Sequence, residues 1–273
     1  MKPPFPEDLR SASSSVSPTG LEAAARPVVS IDNVSKAFGS GNQRVVALDG
    51  VTLDVNAGEF VCLLGASGCG TSTLLNLVAG LDQPTSGTVE VHAHHTGLMF
   101  QDAALFPWLT VRGNVELALK LAGAPRRERR SRALELLEMV HLGEFAKARP
   151  HELSGGMRQR TALARALAQD ADLLLMDEPF GALDAMTRDR LHDELEELWR
   201  STGKTVIFVT HNVREAIRLG DYVVLLASRP GRVAAVYDVT IPRPRRIDSP
   251  DVATMAATIT DELREVVARG SDR

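Results

Sequence analysis

The chain has 273 residues, 44% of them hydrophobic and 24% charged, with a formal net charge of −4; this is the composition of a globular protein with room for a sizeable core. The slightly acidic balance argues against an electrostatic nucleic-acid binder, and no apolar run reaches the 18 residues or so that a membrane span needs. The two cysteines, Cys62 and Cys69, suggest a reducing cytosol and not a disulfide framework.

Residues 1 to about 27, rich in Ser, Pro and Ala, are expected to form a disordered tail or a cloning remnant, and Met1 to Pro6 lack the apolar stretch of a secretory signal. Order begins with four short alternating stretches, Val28–Ile31, Val34–Phe38, Val45–Leu48 and Val51–Val55, separated by turn residues. They predict an antiparallel β-layer beside a parallel sheet. The apolar run Phe60–Leu64 then reads as a buried strand, and Leu74–Ala79 as the first turns of a helix. A further strand is expected at Thr88–Val91. His92, His94 and His95 follow it, and they read as an exposed strand end and turn in preference to metal ligands. Residues 109 to about 150 are helical in period, with Leu134, Leu137, Val140 and Leu142 on the apolar face. The basic run Arg126–Arg132 reads as a solvated helix face. A loop and helix cover Leu153–Gln169, and Leu173–Met176 is a buried strand. Thr187–Ser201 is a charged helix, Thr205–Val209 a buried strand and Val213–Leu219 a short helix. Strands at Tyr222–Leu226 and Arg232–Val236 precede a C-terminal amphipathic helix at Val252–Val267. Buried strands alternating with helices predict an α/β core with a parallel sheet.

Between the strand at 60–64 and the helix at 74 lies Gly65-Ala66-Ser67-Gly68-Cys69-Gly70-Thr71-Ser72-Thr73. A strand, a glycine-rich turn and a helix N-terminus form the setting in which backbone N–H groups hold phosphates. The spacing fits G-x-x-x-x-G-K-[ST] everywhere except position 71, where threonine replaces lysine. Asp177 closes an apolar strand at the carboxyl edge of the predicted sheet, where ligands of such folds bind. With the Ser72 hydroxyl it can hold a Mg²⁺ that bridges nucleotide phosphates, and Glu178 is placed to orient or deprotonate a water. In Leu153-Ser154-Gly155-Gly156-Met157-Arg158-Gln159-Arg160, Ser154 and two glycines open a second anion-binding helix N-terminus. Two such helix starts in one chain make sense if two copies share each nucleotide.

Leu153 to Gln159 resembles the signature motif of ATP-binding cassette (ABC) ATPases, and the resemblance runs from about residue 28 to about 240. Gln101 matches that family's Q-loop, Ala182-Leu183-Asp184 its D-loop, His211 its switch histidine and Phe38 its adenine-stacking aromatic. The resemblance implies an α/β P-loop NTPase core with a parallel sheet, an antiparallel β-subdomain and a helical signature subdomain at about 102–165. The cassette would span 28–245, with a helical extension at 246–273. Phe106–Val111 and Ser228–Arg232 resemble the importers of nitrate, aliphatic sulfonates and taurine, although Val91–Met99 is shorter than usual there.

By this resemblance, ATP and Mg²⁺ bind between residues 65–73 of one copy and Ser154, Gly155 and Gly156 of a second, facing head to tail, with Asp184 at the same junction. Glu178 orients water, His211 contacts the γ-phosphate, and Gln101, beside Ser72 and Asp177 at the metal, links the site to a permease. The implied partners are the second copy, two integral-membrane permease subunits and, indirectly, a solute-binding protein, on the cytoplasmic face of the membrane and without nucleic acid. Thr71 weakens the catalytic half. At an effective dielectric of about 20, a charge pair at contact is worth roughly 4 kcal/mol, and losing half of that costs ~30-fold. The substitution is an introduced change, a naturally degenerate site, or one compensated from elsewhere. Because Glu178, His211, Ser154 and Asp184 all keep the pattern, a deliberate or isolated substitution in a working ATPase lineage is expected, with poor hydrolysis by this chain. A non-hydrolytic scaffold is the second reading, and a soluble ABC protein acting on nucleic acid or ribosomes the third.

Overall fold

The expected strands fall into two sheets that meet at the loop of residues 65–73. The computed structural model describes residues 26–271 except Ser67 and Arg229. Most of the expected tail, Ser67 of the loop and Arg229 of the 228–232 stretch therefore lie outside the described residues.

The four short stretches before residue 56 are two long strands, β1 (Val29–Phe38) and β2 (Val45–Val55). Asn33 (φ 47°) and Gly50 (φ 64°) take left-handed conformations, and the ladder shifts register between Ile31 and Val34. Bulges of this kind absorb an extra polar residue without ending a strand, which is why the interruptions looked like strand ends. With β4 (Ser86–Val91) these strands form the antiparallel layer, in the order β2-β1-β4.

The second sheet contains β3 (Phe60–Gly65), β5 (Thr96–Met99), β6 (Leu173–Asp177), β7 (Thr205–Thr210), β8 (Tyr222–Ala227) and β9 (Arg232–Asp238). Its order is β5-β6-β7-β3-β8-β9, parallel from β5 to β8 and antiparallel at β9. β6 and β7 are buried at every residue, as expected of parallel strands covered on both faces. β5 has no counterpart among the expected strands. Its four residues include Gly97 and carry almost no alternation; pairing with β6, from Thr96–Leu173 to Met99–Met176, makes it a strand.

Each face of this sheet has its own helices. α1 (Thr71–Val78) packs Leu74, Leu75 and Leu77 with Val61, Leu63, Leu175 and Ile207, and with Val29 and Ile31 of the antiparallel layer. The alternate residues Phe60, Cys62, Leu64, Leu174 and Met176 belong to the opposite core. α2 (Val111–Leu121), α3 (Arg126–Met139), α4 (Gly155–Leu167), α5 (Ala185–Thr202), α6 (Val213–Leu219) and α7 (Pro250–Ser271) contribute to that second core. Leu137, Val140 and Leu142 are fully buried there. Arg126, Arg127, Arg130 and Arg132 are exposed on α3, while Arg129 turns back to donate to the Ala124 carbonyl at 2.7 Å. The His94 and His95 N–H groups donate to Asp172, at 3.1 and 3.3 Å, and so tie the turn before β5 to the start of β6. Among the described residues no three His, Cys, Asp or Glu side chains converge on a metal position, and no helix is long and apolar enough to cross a membrane.

The C-terminal helix is docked. Val252, Ala256 and Ile259 are buried in the second core, and Arg245, 5% exposed, holds the strap that leads to them. Its guanidinium donates to the carbonyls of Ile241 (2.7 Å), Ile217 (2.9 Å), Val239 (2.8 Å) and Gly220. Burial lowers its pKa to about 10. Arg243 spans Glu196 (3.3 Å) and Asp221 (2.9 Å) and lies over the Trp199 ring, 4.5 Å from its centroid. Removing Arg245 orphans four carbonyls at once, so Arg245→Ala is expected to cost about 3 kcal/mol. Urea unfolding measures this, and a loss below about 1 kcal/mol would contradict the strap's role.

Candidate functional site

The loop at 65–73 owes its shape to two positions where no side chain fits. Gly70 takes φ 87° and is the N-terminal cap residue of α1; a Cβ there would lie 2.7 Å from Leu48 and 2.8 Å from the Ala47 carbonyl. A Cβ on Gly65 would lie 2.4 Å from the Cys69 sulfur. The bend brings Thr71, and not Leu74, to the first helical position. No side chain caps α1, so its first-turn N–H groups are left for an anion. They border a cavity of about 640 Å³ lined by Gly68, Gly70 to Thr73, Val45 to Ala47 and Pro230. Among the described residues, no lysine or arginine lines it. Lys36 is held by Asp82 at 2.6 Å and by the Gln83 carbonyl at 2.8 Å, and Arg232 by Asp49. Thr71 itself contacts Cys69, Oγ1 to Sγ 3.8 Å. Phe38 pairs with Val45 across the ladder and is 45% exposed; it sits beside the apolar wall, which Val45 and Val46 themselves form.

The parallel sheet brings the remaining candidates to one edge. Asp177 ends β6, and its carboxylate accepts from the Ser72 hydroxyl. Burial and the neighbouring Glu178 charge raise its pKa, and the Ser72 hydrogen bond opposes them. A hydroxyl and a buried carboxylate are hard oxygen donors, a set that fits Mg²⁺. Gln101 lies exposed two residues beyond Met99, whose partner is Met176, so it shares the edge with Asp177. Glu178 has φ 45°, and its Oε2 lies 3.2 Å from His211 Nδ1.

Ser154 caps α4, accepting from the Met157 N–H at 3.2 Å. Asp184 caps α5, accepting from the Thr187 N–H at 3.0 Å and its hydroxyl at 2.7 Å; these bonds hold its carboxyl below the usual range. α1 and α4 belong to the cores on opposite faces of the sheet. The starts of α1 and α4 in one chain therefore lie against different cores.

Two sets of positioning groups escaped the sequence reading. Gln159 was part of a motif but carried no role; it is buried, and its amide bonds to the backbone at Glu178 and Ala182. The Thr210 hydroxyl, next to His211, donates to Glu215, whose other oxygen lies 2.7 Å from Nε2 of the fully buried His192 on α5. Nothing in the local pattern marks a polar residue as buried when its partner comes from another element.

Comparison with known proteins gives this geometry a family. The family model described as "ABC transporter" matches residues 48–181. A taurine import ATP-binding protein of Rhizobium johnstonii is 45% identical across 90% of this chain and 98% of its own length. The chain belongs to the ABC transporter family. Within that family it is an ATPase domain. A nitrate import ATP-binding protein of Synechocystis sp. is 45% identical over 78% of this chain and 82% of its own. Among solved structures, a dimeric post-hydrolysis state of the ATP-binding cassette MJ0796 bound to ADP and Pi is 37% identical, with a TM-score of 0.72, over 78% of this chain and all of that one.

The raised pKa of Asp177 has a sign. The folded state holds the proton more tightly than the unfolded chain, so the favourable contribution is complete below the unfolded carboxyl pKa. It is lost as pH rises through the folded value, above which the ionised group opposes folding. Asp177→Asn should therefore raise the melting temperature of the ligand-free cassette at pH 7.5 and abolish the rise produced by Mg²⁺ with ATP. Thermal melts check both, and a lower ligand-free melting temperature in the variant would contradict the electrostatic account.

Proposed function

We propose that this cassette is the ATP-driven subunit of an importer for a small anion such as an aliphatic sulfonate, taurine or nitrate, and that Thr71 slows its hydrolysis. The observation that carries the reading is the pair of anion-binding helix starts on opposite sheet faces. Such a chain completes a nucleotide site only with a second copy placed head to tail, so that residues 65–73 of one protomer and Ser154 to Gly156 of its partner enclose each ATP. Mg²⁺ on Ser72 and Asp177, with Gln101 at the same edge, would neutralise phosphate charge. Glu178 holds and orients the attacking water, and His211, its Nδ1 3.2 Å from the Glu178 carboxylate, faces the γ-phosphate. ATP favours the closed pair and hydrolysis releases it. The energy passed on is the difference in nucleotide affinity between the two states.

A second feature supports a membrane partner. An open groove of about 820 Å³ is lined by Leu81, Leu98, Phe100, Phe106, Leu117 and Leu121, with Arg165 and Asp170 at its polar positions. Trp108, 66% exposed, lies against Phe106 with the ring centroids 5.4 Å apart and the planes tilted by 46°. Apolar surface in such a groove suits a short helix of a permease subunit, and Phe100 adjoins Gln101, which ties the groove to the metal edge. Two permease subunits would place the pair of cassettes on the cytoplasmic face, with a solute-binding protein acting through them. The names of the taurine and nitrate import relatives favour a small anion as the solute.

The alternative is a scaffold subunit that binds nucleotide without turning it over, and Thr71 is the observation that favours it. ATP turnover by the native chain and by Thr71→Lys, each assembled with its permease, decides between them. The motor reading expects lysine to raise turnover by ~30-fold or more. Equal turnover would mean that another group neutralises the phosphates, and no turnover from either chain would favour the scaffold.

A further inference from the structure

Gln159 sits in the second turn of α4, 6% exposed, and does not line the nucleotide cavity. A buried side-chain amide needs partners for both of its ends. Its Nε2 donates to the Glu178 carbonyl at 3.0 Å, and its Oε1 accepts from the Ala182 N–H at 2.9 Å. One partner is a C=O and the other an N–H, so the amide can face only one way. The same carbonyl accepts from the Gly181 N–H at 3.2 Å, and the Glu178 N–H donates to the Val209 carbonyl at 3.0 Å. Three hydrogen bonds thus hold the backbone of a glutamate at φ 45°, and a fourth fixes Ala182 in the same turn. A side chain there is costly to the backbone and persists only where its surroundings impose it.

The helix that supplies this amide is the one whose first turn begins at Ser154. That turn also packs directly on the 178–183 segment: a Cβ on Gly156 would lie 3.1 Å from Leu183 and 3.3 Å from the Ala182 carbonyl. Ser154 and Gln159 lie on one rigid α-helix, less than two turns apart. A small shift of the helix start, as when phosphate arrives there, moves the amide and the turn it holds.

We infer that Gln159 is a positioning residue for hydrolysis: it fastens the backbone of Glu178 to the helix whose N-terminus receives the other nucleotide. Each protomer's water-orienting carboxylate is then aligned by the ATP bound to its partner's phosphate loop. The inference rests on the proposed roles of Glu178 and of the head-to-tail pair. It explains why a residue that touches neither nucleotide nor metal is buried with both ends of its side chain satisfied.

The test uses Thr71→Lys as the active background and two substitutions in it. Gln159→Met keeps the length and removes both hydrogen bonds. Gln159→Glu keeps the acceptor for Ala182 and removes the donor to Glu178, and it serves if the methionine variant folds poorly. Displacing a catalytic group by a fraction of an ångström to an ångström costs on the order of 10- to 100-fold. Turnover should fall by ~10-fold or more, the KM for ATP should stay within about twofold, and cooperativity between the two sites should weaken. Amide hydrogen exchange across 178–182 should quicken while the 65–73 segment is unchanged. Turnover within about twofold in both variants would overturn the proposal. So would a KM that rises in step with the loss of turnover, the mark of a general structural defect. If Thr71→Lys shows no turnover while exchange across 178–182 still quickens, the catalytic reading of Glu178 falls, and the coupling with it. Unchanged exchange would overturn the clamp itself.

Discussion

The structure depends on a close approach of backbone to backbone at the base of α1. Gly65 admits the Cys69 side chain, Gly70 admits Ala47 and Leu48 of β2, and a Cβ on Gly231 would lie 2.2 Å from the Cys69 carbonyl. Gly231 also bonds on both sides to β2, donating to Ala47 and accepting from Asp49, each at 2.9 Å. Three chain segments far apart in sequence are thereby pressed together, and the result is an uncapped helix N-terminus facing a cavity. Both sheets converge on this knot. The antiparallel layer supplies one wall through Val45 to Ala47, and the parallel sheet supplies the edge that carries Asp177, Glu178 and His211.

The same geometry sets what threonine at position 71 lacks relative to a lysine there. A helix start carries roughly half a unit charge, whereas lysine would add a full one against the phosphates. Asp177 and Glu178 stand at the same edge, so two carboxylates face an incoming polyanion with no cationic side chain lining the described cavity. On the proposed reading, a divalent ion and the backbone N–H groups carry the whole neutralising role. The shape of the phosphate cradle and its charge are separable, and this chain keeps the first without the second.

Much of this was legible in the sequence because it is local. The apolar runs at 60–64, 173–176 and 205–209 report strands covered on both faces, and the turn signals around Val213–Leu219 give that helix its observed ends. Glycine spacing at 65–70 and at 155–156 marks helix starts because steric demands at those turns act on neighbouring residues. What stayed hidden is non-local. β5 exists only because β6 lies beside it, the interruptions at Asn33 and Gly50 are bulges only in the presence of a partner strand, and Gln159 and His192 are buried by elements distant in the chain. The Arg245 strap belongs to the same class, since carbonyls from two segments, 217–220 and 239–241, meet one guanidinium. Nor does a single sequence report which face of the sheet each helix covers, and that is what separates the starts of α1 and α4.

The central claim is that one chain holds two halves of different nucleotide sites and works only as a pair. Sedimentation of the native chain and of Thr71→Lys with Mg²⁺ and a non-hydrolysable ATP analogue, so that hydrolysis cannot release the pair, tests it most directly. The account predicts monomers without nucleotide and dimers with it, in Thr71→Lys at lower nucleotide concentration than in the native chain, and no dimer when Gly156→Asp puts a carboxylate at the start of α4. Chains that bind ATP yet remain monomeric at saturation, or that dimerise equally well with Gly156→Asp, would contradict it.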